Sequence, residues 1–189
     1  MRRQLGAGFA LCAFLSGCSV GSVGPYYQPA AVVFDSTLLG TWTDSVSHTR
    51  AVFIRDGNRY DIAYTSTDGR SARFVGRLFR LGDATALDIL PGQLPDSIKA
   101  SMADAYWSSF VSLHSLWWLD WRGDRLALTS FIEDSLRAYV VANPDVVQHL
   151  GNDQTLILTA PAADLQTFVL EYRRRPKVFV DSTIWKRTK

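Results

Sequence analysis

The chain of 189 residues is long enough for one domain of ordinary size. With 47% hydrophobic residues, it is able to bury a sizeable core. Its 20 basic and 18 acidic residues give a net charge of only +2, and loss of a leader containing Arg2 and Arg3 would remove that excess. The near-neutral balance excludes the basic field that attracts nucleic acid, so no nucleic-acid partner is expected.

The N-terminal residues have the layout of a secretory signal. Arg2 and Arg3 provide a basic start, an apolar run follows from Leu5 to Leu15, and small residues precede Cys18. The apolar run is too short to span a bilayer, which requires about 20 residues. We therefore predict that residues 1–17 are a signal peptide that is removed from the mature protein.

The segment Leu15-Ser16-Gly17-Cys18 resembles the lipobox of bacterial lipoproteins. The resemblance implies that the Cys18 thiol carries a diacylglycerol, that cleavage occurs before Cys18, and that acyl chains hold the protein on a membrane of the cell envelope. In lipoproteins resembling those of enterobacteria, aspartate directly after the lipidated cysteine favours retention in the inner membrane. Serine stands at this position here, as Ser19, so the resemblance implies the periplasmic face of the outer membrane. An ordinary signal peptide with a chance cysteine is the alternative. Cys12 and Cys18 are the two cysteines of the chain. Cys12 would leave with the signal peptide and Cys18 would carry lipid, so no disulfide is expected in the mature domain.

Small residues and prolines follow the predicted cleavage point. Gly24, Pro25 and Pro29 interrupt any periodic pattern here, which is typical of a linker. We therefore predict that residues 18–34 contain the lipidated cysteine and a flexible tether. Residues 35–189 are expected to form a single folded domain.

Short strands are predicted throughout this domain. Turn sequences such as Asp56-Gly57-Asn58, Thr67-Asp68-Gly69 and Arg122-Gly123-Asp124 separate apolar or alternating segments, which is typical of antiparallel hairpins. The predicted strands are Leu38–Thr43, Arg50–Arg55, Arg59–Thr65, Ala72–Leu81, Ala86–Leu90, Ser112–Trp121, Arg125–Phe131, Thr155–Thr159 and Val178–Trp185. Strands of this length and spacing predict a mainly β barrel or sandwich with about eight or nine strands.

Three helices are predicted between the later strands. They are Asp96–Trp107, Glu133–Asn143 and Pro161–Arg173, and each places apolar residues at helical spacing. The last begins with proline in its first turn and ends in arginines before Pro176.

A second resemblance lies at the start of the first predicted strand. Gly40-Thr41-Trp42 is similar to the G-x-W motif of lipocalins, and the wider layout resembles uncharacterised bacterial proteins with lipocalin-like barrels. The resemblance implies one antiparallel lipocalin-like β-barrel with about three accessory α-helices, in which Trp42 closes one end. Helices among the late strands depart from a simple eight-stranded lipocalin, which leaves the strand count and an open cavity undecided.

The strand from Ser112 to Trp121 is aromatic on both faces. Strand alternation sends Trp117 and Trp121 to one face and His114, Trp118 and Asp120 to the other. One face is therefore expected to line the barrel and the other to pack under a helix. The candidate ligand-binding residues inside the barrel are Trp42, Phe53, Tyr60, Tyr64, Phe74 and Trp117. The alternative is that these side chains simply fill the core.

No pattern of catalytic, metal-binding or cofactor-binding residues is recognised. His48, His114 and His149 form no close ligand pair, no serine lies in G-x-S-x-G, and no glycine cluster matches a phosphate loop. The run Arg173–Arg175 fits a helix C-terminus, with lipid phosphate as the alternative.

The leading functional hypothesis is therefore non-enzymatic. We expect an envelope lipoprotein whose barrel binds a small hydrophobic or lipidic ligand, with helix Asp96–Trp107 as a lid. A scaffold with a filled core that contacts another envelope protein is the first alternative, and a hydrolase with an unrecognised site is the second.

Overall fold

A computed structural model of the protein describes residues 20–92, 111–152 and 155–188. The predicted signal peptide, Cys18 and the predicted helix Asp96–Trp107 lie outside the described residues. The described strands are β1 (Gly21–Ser22), β2 (Gly40–Asp44), β3 (Arg50–Asp56), β4 (Arg59–Thr65), β5 (Ser71–Leu81), β6 (Ala84–Pro91), β7 (Ser115–Arg122), β8 (Arg125–Thr129), β9 (His149–Gly151), β10 (Leu156–Leu158) and β11 (Thr183–Thr188).

Eight of these strands close into one antiparallel barrel. Strands β2 to β8 follow each other around the barrel in chain order, and β11 closes it by pairing with both β8 and β2. The prediction of a mainly β fold with an antiparallel barrel is confirmed, and eight of the nine predicted strands form it. The segment Thr155–Thr159 instead provides β10 of a separate three-stranded sheet, in the order β1-β10-β9.

The barrel has two ends that differ in their connections. Hairpin turns at Gly57, Gly82 and Gly123 lie at one end, here called the Gly57 end. The turns between β2 and β3 and between β4 and β5 lie at the other, called the Ser66 end. Gly57 and Gly123 adopt φ angles of 64° and 60°, a left-handed conformation that glycine adopts at little cost.

Alternation of side chains along the barrel strands separates two apolar clusters. Trp117 and Leu119 of β7 belong to the cluster inside the barrel, whereas Leu116 and Trp118 belong to a cluster outside it. Both faces of β7 are covered, as the sequence predicted for this aromatic strand. The outer cluster continues into the helices, because Phe168 packs in the same cluster as Trp118.

Two of the three predicted helices are present in the described residues. Helix α1 spans Glu133–Ala142 and helix α2 spans Ala162–Tyr172. The periodic residues of α2 are all buried against the outer wall of the barrel; they are Leu165, Phe168, Val169 and Tyr172. Neither of these helices is long and apolar enough to cross a membrane.

The segment 20–34 differs from the flexible tether that its composition predicted. Gly21 and Ser22 form β1, which pairs in parallel with β10. Tyr26 is buried in the outer cluster, and the backbone N–H of Val33 donates to the carbonyl oxygen of Leu78 at 2.9 Å. The physical reason is that burial of aromatic surface and backbone hydrogen bonding offset the conformational entropy that this segment loses when it becomes ordered.

Candidate functional site

The Gly57 end of the barrel is closed by the residues that precede β2. Trp42 is fully buried, and its indole N–H donates to the carbonyl oxygen of Leu38 at 2.8 Å. Leu38 ends a 3-10 turn that Asp35 caps by accepting from the backbone N–H of Thr37 at 2.8 Å. The turn therefore lies across the barrel end and is tied to Trp42.

Arg187 of β11 completes this closure from the other end of the chain. Its guanidinium lies 4.3 Å from the centre of the Trp42 ring and donates to the carbonyl oxygens of Thr37 and Leu39. Gly40 has a φ of 112°, and a Cβ there would lie 3.1 Å from Nη1 of Arg187. The positive φ explains why β2 begins with glycine. The sequence analysis did not identify Arg187.

Tyr60 belongs to the same closed end. Its hydroxyl donates to the Asp35 carbonyl oxygen at 2.9 Å and accepts from the Asp35 backbone N–H at 2.9 Å. Phe34 stacks on the Tyr60 ring with centroids 5.1 Å apart, and Arg55 covers Phe34 at 4.6 Å. Trp42 and Tyr60, both predicted as pocket residues, therefore lie at the closed end of the barrel and are not among the residues that line the small cavity nearer the Ser66 end.

The four other predicted pocket residues surround a small cavity nearer the Ser66 end. Its volume is about 30 Å³, and its lining is apolar and aromatic: Ala51, Phe53, Ile62, Tyr64, Phe74, Leu87, Ile89, Trp117, Leu126, Leu128 and Trp185. Sites for small molecules usually have volumes of about 300–1,000 Å³. A cavity of this size therefore has room for about one water molecule and none for a lipid chain.

Close packing of side chains from adjacent strands accounts for part of the small volume. A Cβ at Gly76 of β5 would lie 2.7 Å from Cδ1 of Ile62 and 3.2 Å from Cδ1 of Leu87. Two neighbouring strands thus already fill the space that a side chain at Gly76 would need. Trp185 is buried in the same cluster and occupies the side opposite β5. These side chains leave the volume of about 30 Å³ between them.

A buried polar site lies outside the barrel wall, between β6 and the N-terminal segment. Asp88 is buried, and its Oδ1 lies 2.6 Å from Nδ1 of His114. Its Oδ2 accepts from the backbone N–H of Tyr26 at 2.8 Å. Ser22 and His114 also exchange two backbone hydrogen bonds, at 2.9 and 2.8 Å. Asp88 therefore ties two chain segments to the barrel.

This site has part of the geometry of a catalytic group. An aspartate that orients a histidine is the arrangement used to activate a hydroxyl nucleophile. The adjacent hydroxyl belongs to Ser22, which is fully buried and donates to the carbonyl oxygen of Leu158 at 3.3 Å. Its proton is thus directed away from His114. The contacts of Asp88 therefore support attachment of the N-terminal segment to the barrel.

The other basic and histidine candidates have structural contacts. Arg173 pairs with Asp83 at 3.0 Å and lies 4.6 Å from the Trp118 ring, and Arg175 covers Tyr139. His149 lies 2.9 Å from the carbonyl oxygen of Val147. Within the described ranges, no group of three potential metal ligands is found.

Burial of tyrosines predicts loss of stability in alkali. Burial raises the pKa of Tyr26, Tyr27, Tyr60, Tyr64 and Tyr172 above the ordinary value. Since the fold favours the neutral phenols, its stability is complete below about pH 10 and falls as the pH rises through the raised values. We expect tyrosine ionisation, followed by absorbance at 295 nm, to coincide with loss of near-ultraviolet circular dichroism. Ionisation of these phenols near pH 10 with an unchanged dichroism spectrum would contradict the expectation; protein unfolded in guanidinium is the control.

The fold and site together define a class: a closed eight-stranded antiparallel barrel with one sealed end and a small apolar cavity in its interior. Comparison of the chain with protein-family models, with curated proteins and with solved structures gives no match.

Proposed function

We propose that the protein is a non-enzymatic envelope lipoprotein with a lipocalin-like barrel that acts as a solid scaffold. In this proposal residues 1–17 are the signal peptide, and acyl chains on Cys18 hold the barrel on the membrane. The scaffold presents its outer surface to another envelope protein. The observation that supports a scaffold over a carrier is the cavity volume of about 30 Å³.

The lipocalin-like assignment is supported by the start of the barrel. Gly40 and Trp42 occupy the first barrel strand, a 3-10 turn precedes them, and Trp42 lies at the closed end. The strand order is also that of an up-and-down barrel. The excursion between β8 and β11, which contains both described helices, is the main departure from a simple eight-stranded barrel.

The location proposed is the periplasmic face of the outer membrane. It is supported by the lipobox-like segment ending at Cys18 and by serine at position 19. The neutral balance of charges beyond the leader is compatible with a surface that contacts protein and lipid and not nucleic acid.

Binding of a small apolar ligand is the second candidate. It is supported by the wholly apolar lining of the cavity and by the partial exposure of Phe74, Ile89 and Trp117 near the Ser66 end. Such a ligand would have to enlarge the cavity about tenfold to reach the usual size of a binding site. Displacement of well-packed side chains on that scale carries a large cost.

Tryptophan fluorescence distinguishes the scaffold from the carrier. Trp117 and Trp185 line the cavity, so a ligand that enters it will change their emission. We expect no saturable change when fatty acids, phospholipids or benzene are added to the wild-type protein. Leu87→Ala is the matched positive control, because it enlarges this same cavity and apolar cavities of about 150 Å³ bind benzene.

The two outcomes of this titration have opposite meanings. A response to benzene in Leu87→Ala together with none in the wild type supports a filled barrel. Saturable binding of a fatty acid or phospholipid by the wild type, abolished by Phe53→Trp, would overturn the scaffold proposal and support carriage.

A further inference from the structure

The small sheet β1-β10-β9 is buried on one face only. Ser22 and Leu158 are direct neighbours across β1 and β10, and both are fully buried against the outer cluster of the barrel. His149 is opposite Leu158 on β9 and lies on the same face. Because side chains alternate along a strand, the residues between these positions point away from the barrel.

The opposite face is apolar and partly exposed. Leu150 is opposite Ile157, which is in turn opposite Gly21, so these residues form a row across the three strands. A Cβ at Gly21 would lie 2.7 Å from Cβ of Leu113, which places the Leu113 side chain over the glycine. Val23 lies two residues beyond Gly21. The exposed fractions of Leu150 and Val23 are 64% and 50%.

We call this surface the outer sheet face, formed by Val23, Leu113, Leu150 and Ile157. Alternation also places the uncharged residues Gln148, Thr155 and Thr159 beside it. Among the described residues of these strands, the face carries no charged side chain. Exposed apolar surface of this kind marks contact with protein or membrane.

The short stretch of chain between Cys18 and β1 decides between these occupants. Cys18 precedes Gly21 by three residues, and a residue spans at most about 3.6 Å, so the two Cα atoms lie within about 11 Å of each other. Gly21 itself is fixed on β1, paired with Ile157 and covered by the Leu113 side chain of the outer sheet face. Acyl chains on Cys18 therefore enter the bilayer next to this face, with almost no free chain between them.

We infer that the outer sheet face rests on the lipid bilayer and sets the orientation of the barrel on the membrane. The inference relies on the proposed lipidation of Cys18. An uncharged apolar face contributes to interfacial binding through buried apolar area and does not require anionic lipid. The protein is thus held both by its acyl chains and by Val23, Leu150 and their neighbours.

A single alkyl chain makes the contribution of the face measurable. One chain of about 14 carbons gives only marginal membrane binding, so added apolar contact changes the bound fraction visibly. The chain beginning at Cys18 retains every described residue and has one thiol, to which an alkyl maleimide is coupled. Partition onto neutral phosphatidylcholine vesicles is measured by sedimentation.

The test compares two double variants. Val23→Asp with Leu150→Asp places two charges on the outer sheet face, and we expect it to lower the partition coefficient about tenfold or more. Val46→Asp with Ile54→Asp is the matched control, because these apolar side chains are 85% and 47% exposed on other parts of the barrel. The control is expected to remain within about twofold of the wild type, in low and high salt alike.

Equal partition of the two double variants, with unchanged circular dichroism, would overturn the inference. It would also be overturned if the uncoupled protein formed a dimer that the Val23→Asp and Leu150→Asp variant disrupts, because the occupant would then be a second copy. Coupling in vitro replaces the cellular reaction, so either result is independent of whether Cys18 is lipidated in the cell. The mass of the cellular protein tests that separately.

Discussion

Replacement of Cys18 by serine is expected to release the protein from the membrane fraction of a bacterial host that processes lipoproteins. Serine has no thiolate to accept the diacylglycerol, and processing that depends on lipidation would stop. We expect the wild-type protein to start at Cys18 and to carry the mass of two or three acyl chains. The Cys18→Ser protein is expected to retain residues 1–17 or to be cut at another position, without added mass. Intact mass spectrometry and membrane fractionation measure both properties.

Cys12→Ser is the control, because Cys12 is the other cysteine and lies inside the apolar run of the leader. It is expected to leave the acyl mass and the membrane fraction unchanged. Detection of an unmodified N-terminus in the wild type, at Cys18 or elsewhere, would replace the lipoprotein proposal with secretion of an unlipidated protein. The proposal of a filled barrel would be unaffected by that result, since it depends on packing.

The barrel was predictable because its strands carry strong local signals. Tyr60, Ile62 and Tyr64 alternate along β4 with the less hydrophobic residues Arg59, Asp61, Ala63 and Thr65. All three large side chains are buried inside the barrel. The turn at Gly57 has the left-handed backbone that its sequence indicates. Trp117 and Trp118 also lie on the opposite faces that alternation assigns to them. These features depend on neighbouring residues, which a sequence displays directly.

The small sheet and the N-terminal segment were not predictable in this way. Strands β1 and β9 have two and three residues, which is too short for any periodic pattern. The composition of residues 18–34 indicates a linker, but Tyr26 is held by Asp88, which lies 62 positions later. A partner at that distance in the chain leaves no local signal.

The candidate site also combines features that the local sequence displays with contacts between distant parts of the chain, which it does not. The motif Gly40-Thr41-Trp42 marked the strand that bears Trp42, but Arg187, which covers the Trp42 ring, lies in the last strand. The six candidate pocket residues are all inside the barrel, yet whether they line a cavity or fill it depends on the sum of their volumes. Alternation assigns a side chain to a face and does not determine how much space remains between the faces.

Asp88 is expected to make a large contribution to the free energy of unfolding. In Asp88→Ala, the backbone N–H of Tyr26 and the imidazole of His114 both lose their acceptor in a buried site. Each of these two unsatisfied groups costs about 1–3 kcal/mol, so we expect a destabilisation of about 2–6 kcal/mol in urea unfolding. Hydrogen exchange is expected to rise most in residues 20–27, because the bond from Asp88 to Tyr26 holds that segment.

Asp61→Ala is the matched control for this prediction. Asp61 also lies on a barrel strand and pairs with Arg73 at 2.8 Å, but the side chain of Arg73 is 66% exposed. An ion pair so accessible to water contributes at most about 1 kcal/mol, and the exchange of residues 20–27 is expected to be unchanged. Equal losses of unfolding free energy in the two variants would contradict this prediction. The N-terminal segment would then be held by the apolar contacts of Tyr26 and not by Asp88. A large loss in Asp88→Ala alone would make this carboxylate the link that holds the N-terminal segment, and with it the proposed membrane anchor, on the barrel.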